Sequence, residues 1–73
     1  MDWSLTPRER EILDLLARDE DSHAIARAIG LSYATVRNHV QRILSKMKAH
    51  SIQEAVARYI LAEGAKEDDL RRA

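Results

Sequence analysis

The 73-residue chain has no cysteine, no phenylalanine, one proline, two glycines and one tryptophan. Without cysteine, neither a disulfide framework nor a thiolate metal site is available, and a core of Leu, Ile, Val and Ala must hold the fold together. No apolar run approaches the roughly 18 residues of a membrane span. The opening Met-Asp-Trp-Ser-Leu-Thr-Pro also lacks the basic-then-apolar order of a targeting segment. These absences lead us to expect a cytoplasmic protein with no membrane partner. There is no internal repeat and no low-complexity linker, so a single domain is expected. A chain of this size buries only about 60% of the surface its unfolded form exposes, so modest stability is expected. The 45% apolar and 33% charged composition is that of a folded domain and not of a disordered tail.

Net charge is also missing, since Lys+Arg and Asp+Glu both number 12. A neutral sum argues weakly against a polyanionic partner, but the distribution reverses that argument. Residues 1–31 hold seven acids and four bases, and residues 54–73 hold five and four. Residues 32–53 hold Arg37, Arg42, Lys46 and Lys48 and no acid at all. The positive charge is gathered on one stretch.

Punctuation predicts four helices and no strand. Thr6-Pro7-Arg8-Glu9 is a capping box with proline at the first helical position, and Ile12, Leu13 and Leu16 then recur at helical spacing, giving a helix over 7–18. Asp21 or Ser22 opens a second, two-turn helix that buries Ile25, Ala26 and Ile29, and Gly30 permits a left-handed end. Ser32 caps the third helix, whose stripe of Val36, Val40, Ile43, Leu44 and Met47 faces inward for about four turns. Ser51-Ile52-Gln53-Glu54 repeats the capping-box pattern for a fourth, with Ile52, Ala55, Val56, Tyr59 and Ile60 on its apolar side and Gly64 as a stop, beyond which a polar segment frays or extends the helix. The expected architecture is an all-α four-helix bundle. The domain spans 6–64, between an N-terminal tail at 1–5 and a polar C-terminal tail at 65–73. Trp3 is expected to seal one end of the core.

The second and third helices together have helix-turn-helix chemistry. Two helices that cross steeply need a small residue at their contact and a residue tolerant of positive φ between them, which Ala26 and Gly30 supply. With its apolar stripe inward, the third helix turns Ala34, Arg37, Asn38, Gln41 and Ser45 outward. Arg pairs best with guanine, Asn and Gln with adenine, and a small Ala allows close approach or contact with a thymine methyl. Base reading is therefore expected at Arg37, Asn38, Gln41 and Ala34. Ser32, Thr35, His39, Arg42, Ser45 and Lys46 carry hydroxyl, imidazole or cationic groups suited to phosphates. A solvated surface helix is the ordinary alternative, but the lack of any acid over four turns beside a helix-turn-helix spacing favours double-stranded DNA.

Other chemistry is thinly supported. His23, His39 and His50 lack metal-site spacing, and no cofactor or metal is expected. Glu9, Glu11 and Asp14 lie on a short amphipathic helix and read as a solvated face, so no enzyme is expected.

The pieces Leu5-Thr6-x-Arg8-Glu9, Ile25-Ala26, and Thr35-Val36-Arg37-x-His39 followed by Lys46-Met47 carry a family resemblance. Over about residues 5–61 the chain resembles the LuxR-type DNA-binding domain of quorum-sensing regulators and NarL-like response regulators. That resemblance implies a bacterial transcription regulator whose third helix enters the major groove and whose fourth often mediates dimerisation. It places Arg37, Asn38 and Gln41 at groove-facing positions and Thr35 and His39 near the backbone. The sequence departs from the family at two sites: Gln41 stands where lysine is frequent, and Asp19, in an unusually acidic Asp19-Glu20-Asp21 turn, stands where glycine is usual. Members carry this domain alone or attached to a controlling domain, and a chain of this length fits either.

The wide apolar side of the fourth helix sets a further expectation, a homodimer through Ile52, Ala55, Val56, Tyr59 and Ala62. RNA polymerase is a further partner to weigh, and no small-molecule ligand is expected within the domain. The competing functional class is a helical module that uses the same fold to bind RNA polymerase or a partner regulator.

Overall fold

The computed structural model describes residues 3–72, with side chains for residues 3–63. Its four helices are α1 (Pro7–Ala17), α2 (Ser22–Ile29), α3 (Tyr33–Met47) and α4 (Ile52–Arg72). Each start is set by a side-chain acceptor. The Glu9 N–H donates to Thr6 Oγ1 (3.1 Å) while the Thr6 N–H donates to Glu9 Oε1 (2.9 Å), completing the predicted capping box. Asp21 Oδ1 accepts from the Ala24 N–H (2.8 Å), and Ser32 Oγ accepts from the Thr35 N–H (3.1 Å). At α4 only half of the predicted box forms. Ser51 Oγ accepts from the Glu54 N–H, but the Glu54 carboxylate turns to Arg58 instead (2.6 Å).

Three of the helices end in the same way, with one residue in the left-handed region and the next N–H reaching back to a carbonyl five residues earlier. The residues are Asp19 (φ 65°), Gly30 (φ 71°) and Lys48 (φ 53°). The closing bonds are Glu20 to Leu15, Leu31 to Ala26 and Ala49 to Leu44. Only one of the three ends carries the glycine that favours this geometry. α4 does not stop at Gly64 but runs on to Arg72. The residues after Gly64 begin Ala-Lys-Glu, all strong helix formers, and a single glycine costs only about 1 kcal/mol against such neighbours.

The core is built from Ile12, Leu13 and Leu16 of α1, Ile25 and Ala26 of α2, Val36, Val40, Ile43 and Met47 of α3, and Ala55 and Tyr59 of α4. Ile29, Leu44, Ile52 and Val56 pack against it while partly exposed, as does Trp3, which lies over the cluster from the segment before α1. α1 and α3 each pack against all the other helices, whereas α2 and α4 do not meet among the described residues. The third helix is therefore clamped along its inner stripe, and its other side is left outward. No helix of the described residues is long and apolar enough to cross a membrane.

Candidate nucleic-acid interface

Val36, Val40, Ile43 and Met47 are all buried, so the opposite side of α3 must face outward. Ala34, Arg37, Asn38, Gln41 and Ser45 are indeed exposed, as are Ser32 and Arg42, while Thr35 and His39 are half-buried along the flank. The sequence-predicted reading set thus lies together on one continuous face.

The first turn of that face has internal order. Ser32 Oγ and Thr35 Oγ1 are 2.8 Å apart and share one hydroxyl hydrogen, so the hydrogen of the second hydroxyl remains available to an outside acceptor. Arg37 Nη1 donates to Tyr33 Oη at 3.4 Å, and its Cζ lies 5.8 Å from the Tyr33 ring centroid. That ring also lies against His23 of α2, with centroids 3.8 Å apart and planes 2° from parallel. Tyr33 is 37% exposed and stands at the mouth of the face. It was absent from the expected set, although its place four residues before Arg37 is a legible helical pairing.

Lys46 has a different place from the one expected. Its ammonium donates to Glu9 Oε1 (2.7 Å) and to the Ser4 carbonyl (3.0 Å), tying the last turn of α3 to the start of α1. Two of its three ammonium hydrogens are thus engaged within the fold, while the side chain stays one-third exposed. Glu9 is correspondingly no solvated residue, being only 2% exposed. Burial pushes its carboxyl upward, but the hydrogen bonds from Lys46 and from the Thr6 N–H, with the nearby ammonium charge, outweigh that and hold it below the usual carboxylate range. Asp14 of the same helix accepts from Tyr59 Oη, so it also serves the fold.

The proposed dimer residues divide. Ala55 and Tyr59 are 1% and 6% exposed and belong to the chain's own core, because α4 must cover α1 and α3 with that side. Burial, together with the hydrogen bond to Asp14, pushes the Tyr59 phenol up to about 12. Ile52, Val56 and Ala62 are half-buried. Among the described side chains, the large apolar ones that α4 leaves outward are Ile60 and Leu61, at 50% and 73% exposure. Leu61 and Ala62 line a groove of about 490 Å³ with Trp3 and Arg58.

Arg58 is another residue the sequence reading missed. It donates to the Met47 carbonyl (2.7 Å) and the Lys48 carbonyl (3.2 Å), satisfying the end of α3, while Glu54 holds its other nitrogen. The acidic turn at 19–21 faces α4: Asp19, Glu20 and Asp21 share a groove with Ile52, Gln53 and Val56. Negative charge beside the first turn of a helix is favourable. Asp21 titrates below its ordinary value, chiefly because it accepts the Ala24 N–H.

The chain matches the family model described as bacterial regulatory proteins, luxR family, over residues 3–59. This chain belongs to that family. Among curated relatives, the luxR-family domain is 47% identical over 51 residues to the nitrate/nitrite response regulator protein NarL of Escherichia coli K12, covering 70% of the chain and 24% of NarL. It is 38% identical over 52 residues to the spore germination protein GerE of Bacillus subtilis, covering 71% of the chain and 70% of GerE. It is 37% identical over 65 residues to the transcriptional regulatory protein FixJ of Azorhizobium caulinodans, covering 89% of the chain and 31% of FixJ. The chain therefore spans about a quarter of NarL and most of GerE. The four-helix fold without strands among the described residues agrees with the membership.

Proposed function

We propose that this luxR-family domain binds promoter DNA sequence-specifically by laying α3 in the major groove, as the DNA-binding part of a bacterial transcription regulator. The observation that carries this reading is the α3 surface: Ala34, Arg37, Asn38 and Gln41 are exposed together on a helix with no acidic residue, over a fully buried stripe. Arg37, Asn38 and Gln41 read base edges, and Ala34 allows close approach. Ser32, Thr35, His39, Arg42 and Ser45 position the helix on phosphates. Lys46 leaves that set because Glu9 and Ser4 occupy its ammonium. Such a role belongs in the cytoplasm, where a bacterial chromosome lies.

The reading extends to a homodimer on DNA through the outward side of α4, with Ile60 and Leu61 in place of Ala55 and Tyr59. Two α3 helices would then meet half-sites about one helical turn apart. Selection of bound duplexes from a randomised pool with the purified chain tests both parts. An enriched two-fold symmetric site supports the dimeric reader, an unpaired half-site removes the dimer, and the absence of enrichment over random DNA overturns sequence-specific binding.

A further inference from the structure

The His23, Tyr33 and Arg37 side chains form a ladder of contacts across the helix-turn-helix. His23 comes from α2, while Tyr33 and Arg37 stand one helical turn apart on α3. The His23 and Tyr33 rings are parallel within 2° at 3.8 Å, the Arg37 carbon lies 5.8 Å from the Tyr33 centroid, and Arg37 Nη1 reaches Tyr33 Oη at 3.4 Å. All three side chains are exposed, so the arrangement is not imposed by core packing.

We propose that Tyr33 is a positioning residue for base readout: braced by His23, it holds the Arg37 guanidinium in the orientation that meets a guanine edge. This rests on the reading of α3 as the DNA-reading helix. An unbraced arginine carries large rotamer entropy, and much of a bidentate contact is lost in ordering it. A tyrosine face and hydroxyl one turn earlier remove part of that freedom before DNA arrives. The contact does not consume the reading capacity of Arg37. A guanidinium has five N–H donors, and after one Nη1 hydrogen goes to Tyr33 the remaining four still include a pair that fits O6 and N7 of guanine. His23 favours this position of the Tyr33 ring, because the parallel contact at 3.8 Å is lost when either ring swings away. The brace acts on one base contact and not on overall adhesion, so its loss should appear as discrimination at a single base pair.

The test uses the full chain and its Tyr33→Leu, Tyr33→Phe and Arg37→Ala variants, each checked for an unchanged thermal midpoint. Duplex selection with the wild type and Arg37→Ala identifies the base pair that Arg37 governs. Tyr33→Leu should lower discrimination at that same pair by roughly two- to fivefold, leave the other pairs unchanged, and Tyr33→Phe, which keeps the ring, should recover part of the loss. A uniform loss over all sequences, or unchanged discrimination at that pair, would overturn the positioning role. Proton NMR of the free chain separates this from failure of the DNA reading. Ring-current shifts of the His23 ring and Arg37 side-chain protons should be present in the wild type and vanish in Tyr33→Leu. Their absence in the wild type overturns the ladder irrespective of DNA, whereas shifts present without any selected site overturn the DNA reading and leave the ladder no base to position.

Discussion

Lys46 Nζ lies 2.7 Å from the Glu9 carboxylate, a pairing across 37 residues that joins the C-terminal turn of α3 to the N-terminal turn of α1. The acid is buried and its partner is one-third exposed, so the pair behaves as an internal tie more than as a surface salt bridge. Lys46→Ala would strand a buried carboxylate, and a loss of about 2–4 kcal/mol is expected in urea unfolding. Because the folded-state carboxyl of Glu9 titrates below its unfolded value of 4.5, its contribution is present above that value and lost as pH falls through the lower folded one. Midpoints of the wild type should therefore drop in acid more steeply than those of Glu9→Gln. Parallel curves would contradict the assignment.

Tyr59 gives the complementary prediction in alkali. Its folded phenol titrates near 12 against an ordinary 10.0, so the folded state keeps a proton that the unfolded state sheds between those values. The contribution is fully present below 10 and is lost as pH rises toward 12. Tyr59→Phe should lose about 1 kcal/mol at neutral pH through the bond to Asp14 and should flatten the alkaline limb of the stability curve. An unchanged alkaline limb would count against the buried hydroxyl.

The left-handed helix ends respond in opposite directions to glycine chemistry. Gly30→Ala is expected to cost about 1–2 kcal/mol from φ alone, since no atom lies within 4 Å of the added carbon. Asp19, at φ 65°, already carries a share of that penalty, and Asp19→Gly should raise stability by up to about 1 kcal/mol. Thermal unfolding of the two variants should move the midpoint down and up respectively.

On DNA, the reading and positioning residues should separate. Arg37→Ala is expected to cost about 1–3 kcal/mol and relax preference at particular base pairs, while Arg42→Ala weakens all sequences alike. With Lys46 tied to Glu9 and Arg37 assigned to bases, Arg42 and Lys48 are the cations on or beside α3 left for phosphates, so log affinity against log salt should slope by roughly −2 per subunit. A slope near zero would leave no place for a phosphate-bound α3.

Association, if α4 carries it, should fail on Leu61→Glu with the melting temperature unchanged, because Leu61 is 73% exposed and supports no core contact of its own chain. Sedimentation on a two-site duplex should then show sequential binding without cooperativity. Retained cooperativity would move the dimer contact off this side chain.

The fold was legible because its signals are local and mutually consistent. Thr6 with Glu9, Asp21, Gly30, Ser32 and Ser51 mark helix ends, and the inward stripe of α3 follows from spacing alone. What spacing could not show was the use of single charges. Glu9 and Lys46 sit on polar sides of their own helices and read as a solvated acid and a phosphate contact until the packing of α1 on α3 brings them together. Asp19 and Lys48 close helices without a glycine, in turns completed by the backbone hydrogen bonds of Glu20 to Leu15 and Ala49 to Leu44. Gly64, which would end an isolated helix, does not end α4. For the reading face, periodicity placed the exposed residues on one side, but the stacking of His23 on Tyr33 depends on how α2 crosses α3, which no one-dimensional pattern contains. Ala55 and Tyr59 were assigned outward because a wide apolar helix side gives no sign of which part its own core consumes.

Arg58 has a consequence at larger scale. Its Nη1 grips the Met47 and Lys48 carbonyls from within α4, so it ties the end of α3 to α4 across the elbow at residues 48–51. In the proposed pair of chains joined along α4, that elbow would act as the protractor for how far apart and at what pitch the two α3 helices meet a duplex. The separation of operator half-sites would then be recorded not on the surface that touches bases but in a corner that never approaches them.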